Sequence, residues 1–233
     1  MRLADMNWMQ VQEHVKRDQR AVLPLGSTEQ HGYLSLCVDV ILAERVAIDA
    51  AEPIAVPVYP TINYGFTPSF VDYPGTVSLR LSTLCALMCD ILDHMVRTGF
   101  RQIVIVNGHG GNGPAHGAIL EWLDRNRGVQ VKWHNWWNAP KTMAKVRQID
   151  PLASHASWME NLPWTRLPGV QMPAAQKPMI DIEKYLRVDP GVKKEVIGDG
   201  NFGGLYQRPD AELMAMWEVA VAETRALIET GWD

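Results

Sequence analysis

Leu23-Pro-Leu-Gly-Ser-Thr-Glu29-Gln-His31-Gly is the stretch of sequence from which both the fold and the function of this chain can be approached. It begins with apolar residues typical of a strand and ends in side chains that can bind metals. Glu29 and His31 are two residues apart, so in an extended chain their side chains point the same way. Asp39 follows and opens a helical pattern. These residues together favour a metal site, and an ordinary strand-to-loop turn with solvated polar residues is the alternative.

A second transition from strand to loop lies in the middle of the chain. Residues 101–107 predict a buried parallel strand, and Gly108-His109-Gly-Gly-Asn-Gly113 follows it directly, ahead of a helix predicted over 114–127. The loop formally matches the G-x-G-x-x-G fingerprint of dinucleotide-binding proteins. That fingerprint needs an acidic residue about twenty positions on, and the next predicted strand ends in Lys132-Trp133-His134 instead. A nucleotide site is therefore the weaker interpretation.

Strands alternate with helices along most of the chain. We predict strands at 20–25, 54–58, 102–106 and 129–133, and helices at 5–18, 39–51, 82–98, 114–127, 141–147 and 211–230. Residues 162–209 are rich in Pro and Gly and poor in periodicity. This order predicts an α/β protein with three layers (αβα), a mainly parallel central sheet and a single domain over residues 1–233. Ligands of such sheets bind at the carboxyl ends of the strands, where Glu29, His31, His109 and His134 are expected.

Composition excludes several classes of function. The chain has 233 residues, of which 47% are hydrophobic and 21% charged, as in ordinary soluble globular proteins. Its net charge of −4 argues against nucleic-acid binding, and no apolar run approaches the length of a membrane span. The first residues lack the apolar core of a signal peptide. Cys37, Cys85 and Cys89 lack paired metal spacing and indicate reduced, packed thiols, so we expect a cytoplasmic protein.

Three segments together resemble the creatininase (creatinine amidohydrolase) family. They are the Gly-Ser-Thr-Glu-Gln-His-Gly strand end with its downstream Asp, the Asn-Gly-His-Gly-Gly-Asn loop, and His155-Ala-Ser-Trp-Met-Glu160. They occur in the order found in the family, and the resemblance runs from about Val22 to Asp199. It implies a creatininase-like fold, a hydrolase with two divalent metal ions (Zn²⁺ or Mn²⁺), a small-molecule substrate and a homohexamer.

The resemblance also implies a set of metal ligands, with Asp39 bridging two ions. The implied ligands are Glu29, His31, Asp39, His109 and Glu160. In creatininase itself an acidic residue stands two positions after the histidine of the glycine loop, and here that position is Gly111. Glu160 is the natural substitute for that acid. The family also commonly has eleven residues from the Glu to the Asp, whereas Glu29 and Asp39 are ten apart.

His155 is the candidate catalytic residue. Two divalent ions about 3.5–4 Å apart can hold a bridging water as hydroxide near neutral pH and polarise a carbonyl. His155 would then carry a proton to the leaving nitrogen or carbon. The alternatives are that His155 only caps a helix and that Glu160 is a solvated helix residue. In a regular helix the two would face about 140° apart, so a turn before Glu160 is needed to bring them together.

Aromatic residues near the predicted strand ends suggest a wall for a planar substrate. The expected substrate-binding residues are Trp133, Trp136, Trp137, Trp158 and Tyr64, the last in a long loop over 61–76. Core packing or an oligomer contact is the alternative for the tryptophans. With the acid missing at Gly111, we expect a small cyclic amide or related ring other than creatinine. The alternatives are a C–C bond hydrolase acting on a cyclic diketone sugar of the dehydro-inosose type, and a non-catalytic ligand-binding member of the fold.

Overall fold

The sheet is built from three parallel strands. The structure, a computed structural model, describes residues 1–232. Over these residues the regular strands are β1 (Arg20–Leu25), β2 (Gln102–Asn107) and β3 (Gln130–Asn135), in the order β1-β2-β3. Leu25 pairs with Asn107, and Asn107 pairs with Asn135, so the three carboxyl ends lie level at one edge. The loops after β1 and β2, which carry most of the predicted ligands, therefore leave the sheet side by side.

Helices cover both faces of this sheet. They are α1 (Trp8–Val15), α2 (Val38–Ala51), α3 (Leu81–Thr98), α4 (Ala115–Arg125), α5 (Pro140–Ile149), α6 (Ile182–Arg187), α7 (Pro190–Ile197) and α8 (Asp210–Glu229). None of the helices within residues 1–232 is long and apolar enough to cross a membrane.

Side chains alternate across the strands and so divide the apolar core in two. Val22 and Val104 face α2 and α8, whereas Leu23 and Ile103 face α3 and α4. All four are at most 1% exposed, which explains why the strands read as continuous apolar runs rather than alternating ones. The result is the predicted three-layer α/β fold with a parallel sheet.

The strand predicted over 54–58 is not regular. Ala55 has a φ of 53°, and Pro57 has no N–H to donate. The chain nevertheless follows the free edge of β1, because Val22 N donates to the Pro57 carbonyl and Tyr59 N donates to the Val22 carbonyl. This segment extends the sheet as an irregular, proline-interrupted edge.

Two short helices, α6 and α7, lie within the Pro- and Gly-rich range 162–209, where the sequence shows little periodicity. None of the residues of α6 is buried. A helix without a buried face needs no regular spacing of apolar residues, so the sequence shows little hydrophobic periodicity there. The pair Asp189-Pro190, which opens α7, is a recognisable helix start.

Candidate metal centre and active site

Glycine at position 108 allows the strand ends and the start of α2 to meet. Asp39 lies in the first turn of α2, and His109 follows β2 directly. A Cβ atom at Gly108 would lie 2.3 Å from the Asp39 carbonyl oxygen, so only glycine permits this approach. The approach places the Asp39 carboxylate between His109 and the loop after β1. Ser27, in that loop, donates a hydrogen bond of 2.9 Å to Asp39 Oδ2 and fixes the carboxylate.

The first group of ligand atoms consists of Glu29, Asp39 and His109. His109 Nδ1 lies 3.1 Å from Glu29 Oε1 and 3.1 Å from Asp39 Oδ2. Its other ring nitrogen, Nε2, lies 3.1 Å from the Phe66 carbonyl, which can only accept, so Nε2 carries a proton. Both carboxylate oxygens of Glu29 are buried without a hydrogen-bond partner. A neutral His109 would thus direct a lone pair at two carboxylates, an arrangement that a cation between them would stabilise.

The second group consists of His31, Asp39 and Glu160. His31 Nε2 lies 3.0 Å from Asp39 Oδ1 and 3.9 Å from Glu160 Oε2. His31 Nδ1 lies 3.3 Å from the Glu29 carbonyl and donates to it, which leaves Nε2 directed at the carboxylates. Nε2 is buried and makes no hydrogen bond of acceptable geometry. Each imidazole therefore has one nitrogen fixed by a backbone carbonyl and the other aimed at acidic oxygens, as metal-binding histidines do.

The charges of the cluster also fit cations. In each group the ligand atoms lie within 4.8 Å of one another, and Asp39 belongs to both groups. Burial lowers the pKa of His31, but the Asp39 carboxylate outweighs it and raises that pKa to about 9. The pKa of His109 is likewise raised well above its usual value, because Glu29 and Asp39 overcome the effect of burial. Three buried carboxylates around two imidazoles are stable only if positive charge compensates them, and either protons or divalent ions can supply that charge.

A turn in the chain between His155 and Glu160 lets both side chains face the cluster of ligand atoms. Ala156 has a φ of 58°, and a 3₁₀ helix spans Trp158–Glu160. Glu160 Oε2 accepts a hydrogen bond of 2.6 Å from Ala156 N, which holds the carboxylate back toward His31. Burial raises the pKa of Glu160 to about 7. The segment is not a regular helix, so the two side chains face the cluster together.

His155 is packed between aromatic rings beside the cluster. Its ring centroid lies 4.4 Å from that of His31 and 4.8 Å from that of Phe70, on which it stacks. Burial, followed by the neighbouring His31, holds the pKa of His155 well below its usual value. Gln30 Nε2 lies 2.8 Å from His155 Nε2, and Gln30 Oε1 accepts from Gly32 N at 3.0 Å. His155 Nε2 also lies 3.2 Å from the Gln30 backbone carbonyl, so this nitrogen faces a donor and an acceptor of the same residue, and the lowered pKa leaves the imidazole neutral.

The cluster forms the polar end of a cavity of about 430 Å³. Glu29, Asp39, His109 and Glu160 line that end. The remaining wall is mainly apolar and includes Phe66, Phe70, Trp137, Met143, Tyr185 and Phe202. A cavity with an apolar wall and a few convergent polar groups is typical of a small-molecule site.

The expected tryptophan wall requires correction, since Trp137 alone among the predicted aromatic residues lines this cavity. Trp136 and Trp158 are 1% and 0% exposed and belong to the core between the sheet and α8. Trp133 lies beside a separate groove with His134, and Tyr64 is 48% exposed away from the cavity. Trp136 and Trp158 therefore serve as core-packing residues, because their rings fill volume between the sheet and α8.

Several residues that shape the site were not predicted as site residues from the sequence. Phe70 lies in the long loop over 61–76, whose length indicated a functional segment. Tyr185 and Phe202 lie within the range 162–209, where no local sequence pattern identifies them as cavity residues. Gln30 lies inside the first motif but carries no charge and ligates nothing, so its contact with His155 appears only in three dimensions.

Gly111 is closely enclosed. A Cβ atom there would lie 2.3 Å from His109 Nε2 and 2.3 Å from the Phe66 carbonyl oxygen. The space that a side chain would need is thus filled by the hydrogen bond between these two groups. With this loop arrangement, an acidic residue cannot stand at position 111.

Sequence comparisons agree with the motifs. The family model described as Creatininase: Creatinine amidohydrolase matches residues 4–226. A creatinine amidohydrolase from Pseudomonas putida is 31% identical over 165 residues, which are 64% of this chain and 62% of that protein. A mycofactocin precursor peptide peptidase from Mycolicibacterium smegmatis is 35% identical over 119 residues (48% of this chain, 47% of that protein). A 3-dehydro-scyllo-inosose hydrolase from Thermotoga maritima is 31% identical over 107 residues (45% of this chain, 34% of that protein). The chain thus matches less than two thirds of the length of each of these relatives.

Solved structures of creatininases share the fold over nearly the whole chain. A crystal structure of creatinine amidohydrolase has a TM-score of 0.80 and 25% identity, covering 97% of this chain and 96% of that chain. A manganese form of creatininase has a TM-score of 0.77 and 25% identity, covering 97% and 96%. A variant creatininase of Zn–Zn type has a TM-score of 0.78 and 23% identity, with the same coverage. The match over residues 4–226 and the shared fold establish that this chain belongs to the creatininase family of metal-dependent hydrolases.

Proposed function

We propose that this chain is a hydrolase that uses two divalent ions, Zn²⁺ or Mn²⁺, to open a small cyclic amide other than creatinine. The single observation that carries the proposal is the Asp39 carboxylate shared between two groups of ligand atoms, one with His109 and one with His31. Imidazole and carboxylate ligands without thiolate suit zinc and manganese. The Zn–Zn and manganese forms of related creatininases support the same choice.

The proposed ligands follow the two groups. Glu29, Asp39 and His109 would hold one ion, and His31, Asp39 and Glu160 the other. Glu160 supplies an oxygen ligand that the glycine loop, with Gly111, does not offer. When bound, two such ions can activate a water molecule and polarise the substrate carbonyl.

His155 is the proposed catalytic residue. It is neutral, so one ring nitrogen carries a lone pair that can accept a proton and return it to the nitrogen that leaves as the amide C–N bond breaks. Gln30 holds the ring in place, because its side-chain nitrogen lies 2.8 Å and its backbone carbonyl 3.2 Å from His155 Nε2. Phe70 stacks on the imidazole at 4.8 Å and keeps bulk water from it. The apolar wall then favours a flat ring over a long, polar peptide.

A C–C bond hydrolase acting on a cyclic diketone sugar is the second candidate. It is supported by the similarity to 3-dehydro-scyllo-inosose hydrolase, which is 31% identical over 107 residues. The same residues suit both reactions, because each requires water to add to a polarised carbonyl. A sugar, however, needs many hydrogen-bond partners, and the described wall of the cavity is mainly apolar. This contrast favours the cyclic amide.

The experiment is a substrate screen with the metal-loaded protein. Apoprotein prepared with a chelator is reloaded with zinc or manganese and incubated with cyclic amides, cyclic ureides, cyclic diketone sugars and short peptides. We expect products heavier by one water from the cyclic amides alone, and none from the apoprotein or from His155→Ala. Turnover of sugars alone would favour the C–C hydrolase, and metal binding without any turnover would favour a non-catalytic member of the fold.

We also propose that residues 1–233 act as one catalytic unit within a homo-oligomer. Single exposed apolar side chains such as Trp8 and Leu186, both 71% exposed, also occur on monomers, so the oligomer is proposed from the resemblance to the creatininase family. Analytical ultracentrifugation should then give a mass several times that of the chain, with a hexamer as the expected state. A monomer at micromolar concentration would contradict this. The cytoplasmic location stays a prediction.

A further inference from the structure

A lysine stands at the rim of the cavity, away from the metal-binding end. Ser69 and Tyr185 line the cavity. Lys193, in α7, places its Nζ 3.0 Å from Ser69 Oγ and 4.3 Å from the centroid of the Tyr185 ring. Glu29 of the ligand cluster lines the same cavity, so this rim and the metal-binding end face one common space.

Lys193 has no acidic partner among residues 1–232, whereas Lys16 and Lys177 each have one. Lys16 forms an ion pair with Glu13, and Lys177 forms one with Asp199. Lys193 forms no such pair with any of residues 1–232, and burial alone lowers its pKa, with no carboxylate to raise it. The Lys193 Nζ group thus has a hydroxyl and an aromatic ring as neighbours but no counter-charge, which leaves it able to pair with an anion.

We propose that Lys193 and Ser69, beside the Tyr185 ring, bind a carboxylate of the substrate. This inference rests on the proposed hydrolysis of a cyclic amide and narrows the substrate class to cyclic amides that carry one carboxylate. The ring would lie in the cavity lined by Phe70 and Tyr185, with its amide toward the ligands and its carboxylate toward Lys193. One ammonium and one hydroxyl match a singly charged carboxylate, whereas a phosphate dianion usually requires more donors.

Two cyclic ureides that differ only in this group provide the test. Dihydroorotate carries a carboxylate on the ring, and dihydrouracil lacks it. Calorimetric titration of the zinc-loaded protein measures the affinity for each, and chromatography of the same mixtures measures ring opening separately. The variants are Lys193→Met, which keeps the apolar stem, and Lys193→Arg, which keeps the charge. The matched control is Lys194→Met, because Lys194 Nζ binds the Asp72 carbonyl at 3.1 Å instead of Ser69.

We expect dihydroorotate to bind at least about tenfold more tightly than dihydrouracil, since a charge-assisted hydrogen bond contributes that much or more. Lys193→Met should remove this difference without changing the zinc content or the affinity for dihydrouracil. Lys193→Arg should retain most of the difference, and Lys194→Met should retain all of it.

The inference is overturned if Lys193→Met binds dihydroorotate as well as the wild type, because the metal ions alone would then hold the carboxylate. It is also overturned if dihydroorotate does not bind at millimolar concentration. Ring opening separates this inference from the proposed reaction. If neither ureide is opened and the dependence on Lys193 persists, the carboxylate site stands and the cyclic-amide reaction does not.

Discussion

Gly108→Ala is expected to lower both the stability of the protein and its affinity for metal. The added Cβ would lie 2.3 Å from the Asp39 carbonyl oxygen, far inside the roughly 3.5 Å at which nonbonded heavy atoms begin to attract. The obstacle is backbone, so the end of β2 must move away from α2 by about 1 Å. Overpacking of this kind typically costs about 1–3 kcal/mol. At about 2–4 °C per kcal/mol for a chain of this size, the Tm should fall by several degrees.

The same displacement moves His109 away from Asp39. Their atoms lie 3.1 Å apart, and an ion between them tolerates little change in that distance. Differential scanning calorimetry of the apoprotein measures the Tm, and competition with a chromophoric chelator measures the affinity for zinc. We expect weaker zinc binding, by at least about tenfold, together with the lower Tm.

Gly117→Ala is the matched control. Gly117 lies in α4, and a Cβ atom there would have nothing within 4 Å. Replacing a glycine inside a helix by alanine should raise stability by roughly 0.5–1 kcal/mol and leave zinc affinity unchanged. The two substitutions are chemically identical and have opposite predicted signs. A Gly108→Ala protein with the Tm and zinc affinity of the wild type would refute the reasoning about close approach.

Other substitutions test single residues of the proposed site and, at His134, a buried histidine outside it. Asp39→Ala should lose both ions, measured by elemental analysis, while its circular dichroism stays native; retention of both ions would show that Asp39 does not bridge them. Glu160→Gln should lower metal occupancy and activity together. His155→Ala should keep both ions and lose turnover by roughly 10²–10⁴-fold; loss of metal in that variant, with Glu160→Gln fully loaded, would reverse the two roles. His134→Gln should make stability less sensitive to acid, measured by urea unfolding of the apoprotein at pH 7 and pH 5.

The sign of the His134 effect follows from its burial, which lowers its pKa to about 4. In the unfolded chain the pKa is near 6.5, so between these values the unfolded state binds more protons. The free energy of unfolding therefore falls as the pH drops from about 6.5 to about 4, by roughly 2 kcal/mol between pH 7 and pH 5. Glutamine can keep the hydrogen bond of 2.9 Å to Thr224 and does not titrate. An equal loss of stability in both proteins would contradict the assignment.

Glu29, His31 and His109 share one property, which is that their spacing from a strand end fixes where they lie. Glu29 and His31 follow a strand directly, and His109 follows another, so parallel order alone sends them to one edge. Asp39 needs one more condition, the close approach that Gly108 permits. For these residues, the motif and the architecture predict the same place.

The cavity wall was harder to predict, because it depends on long-range contacts. A tryptophan next to a strand end, such as Trp136, has the same local pattern whether it faces a cavity or the core. The structure places its ring against Trp217 of α8, with centroids 5.6 Å apart, and helix α8 is far away in the sequence. Tyr185 and Phe202 reach the cavity from a segment without periodicity. His155 and Glu160 depend on the left-handed Ala156, which no propensity of alanine predicts.

The enclosure of Gly111 has a consequence for how this protein could have diverged from creatininase. The Phe66 carbonyl that accepts from His109 Nε2 fills the place where an acidic side chain would begin. A single mutation to glutamate at this position would break that hydrogen bond before the new carboxylate could reach an ion. The loop over 61–76 would have to move first, or at the same time, for the substitution to be tolerated. Position 111 is therefore under an epistatic constraint, because an acid there can be tolerated only after, or together with, a change in the loop.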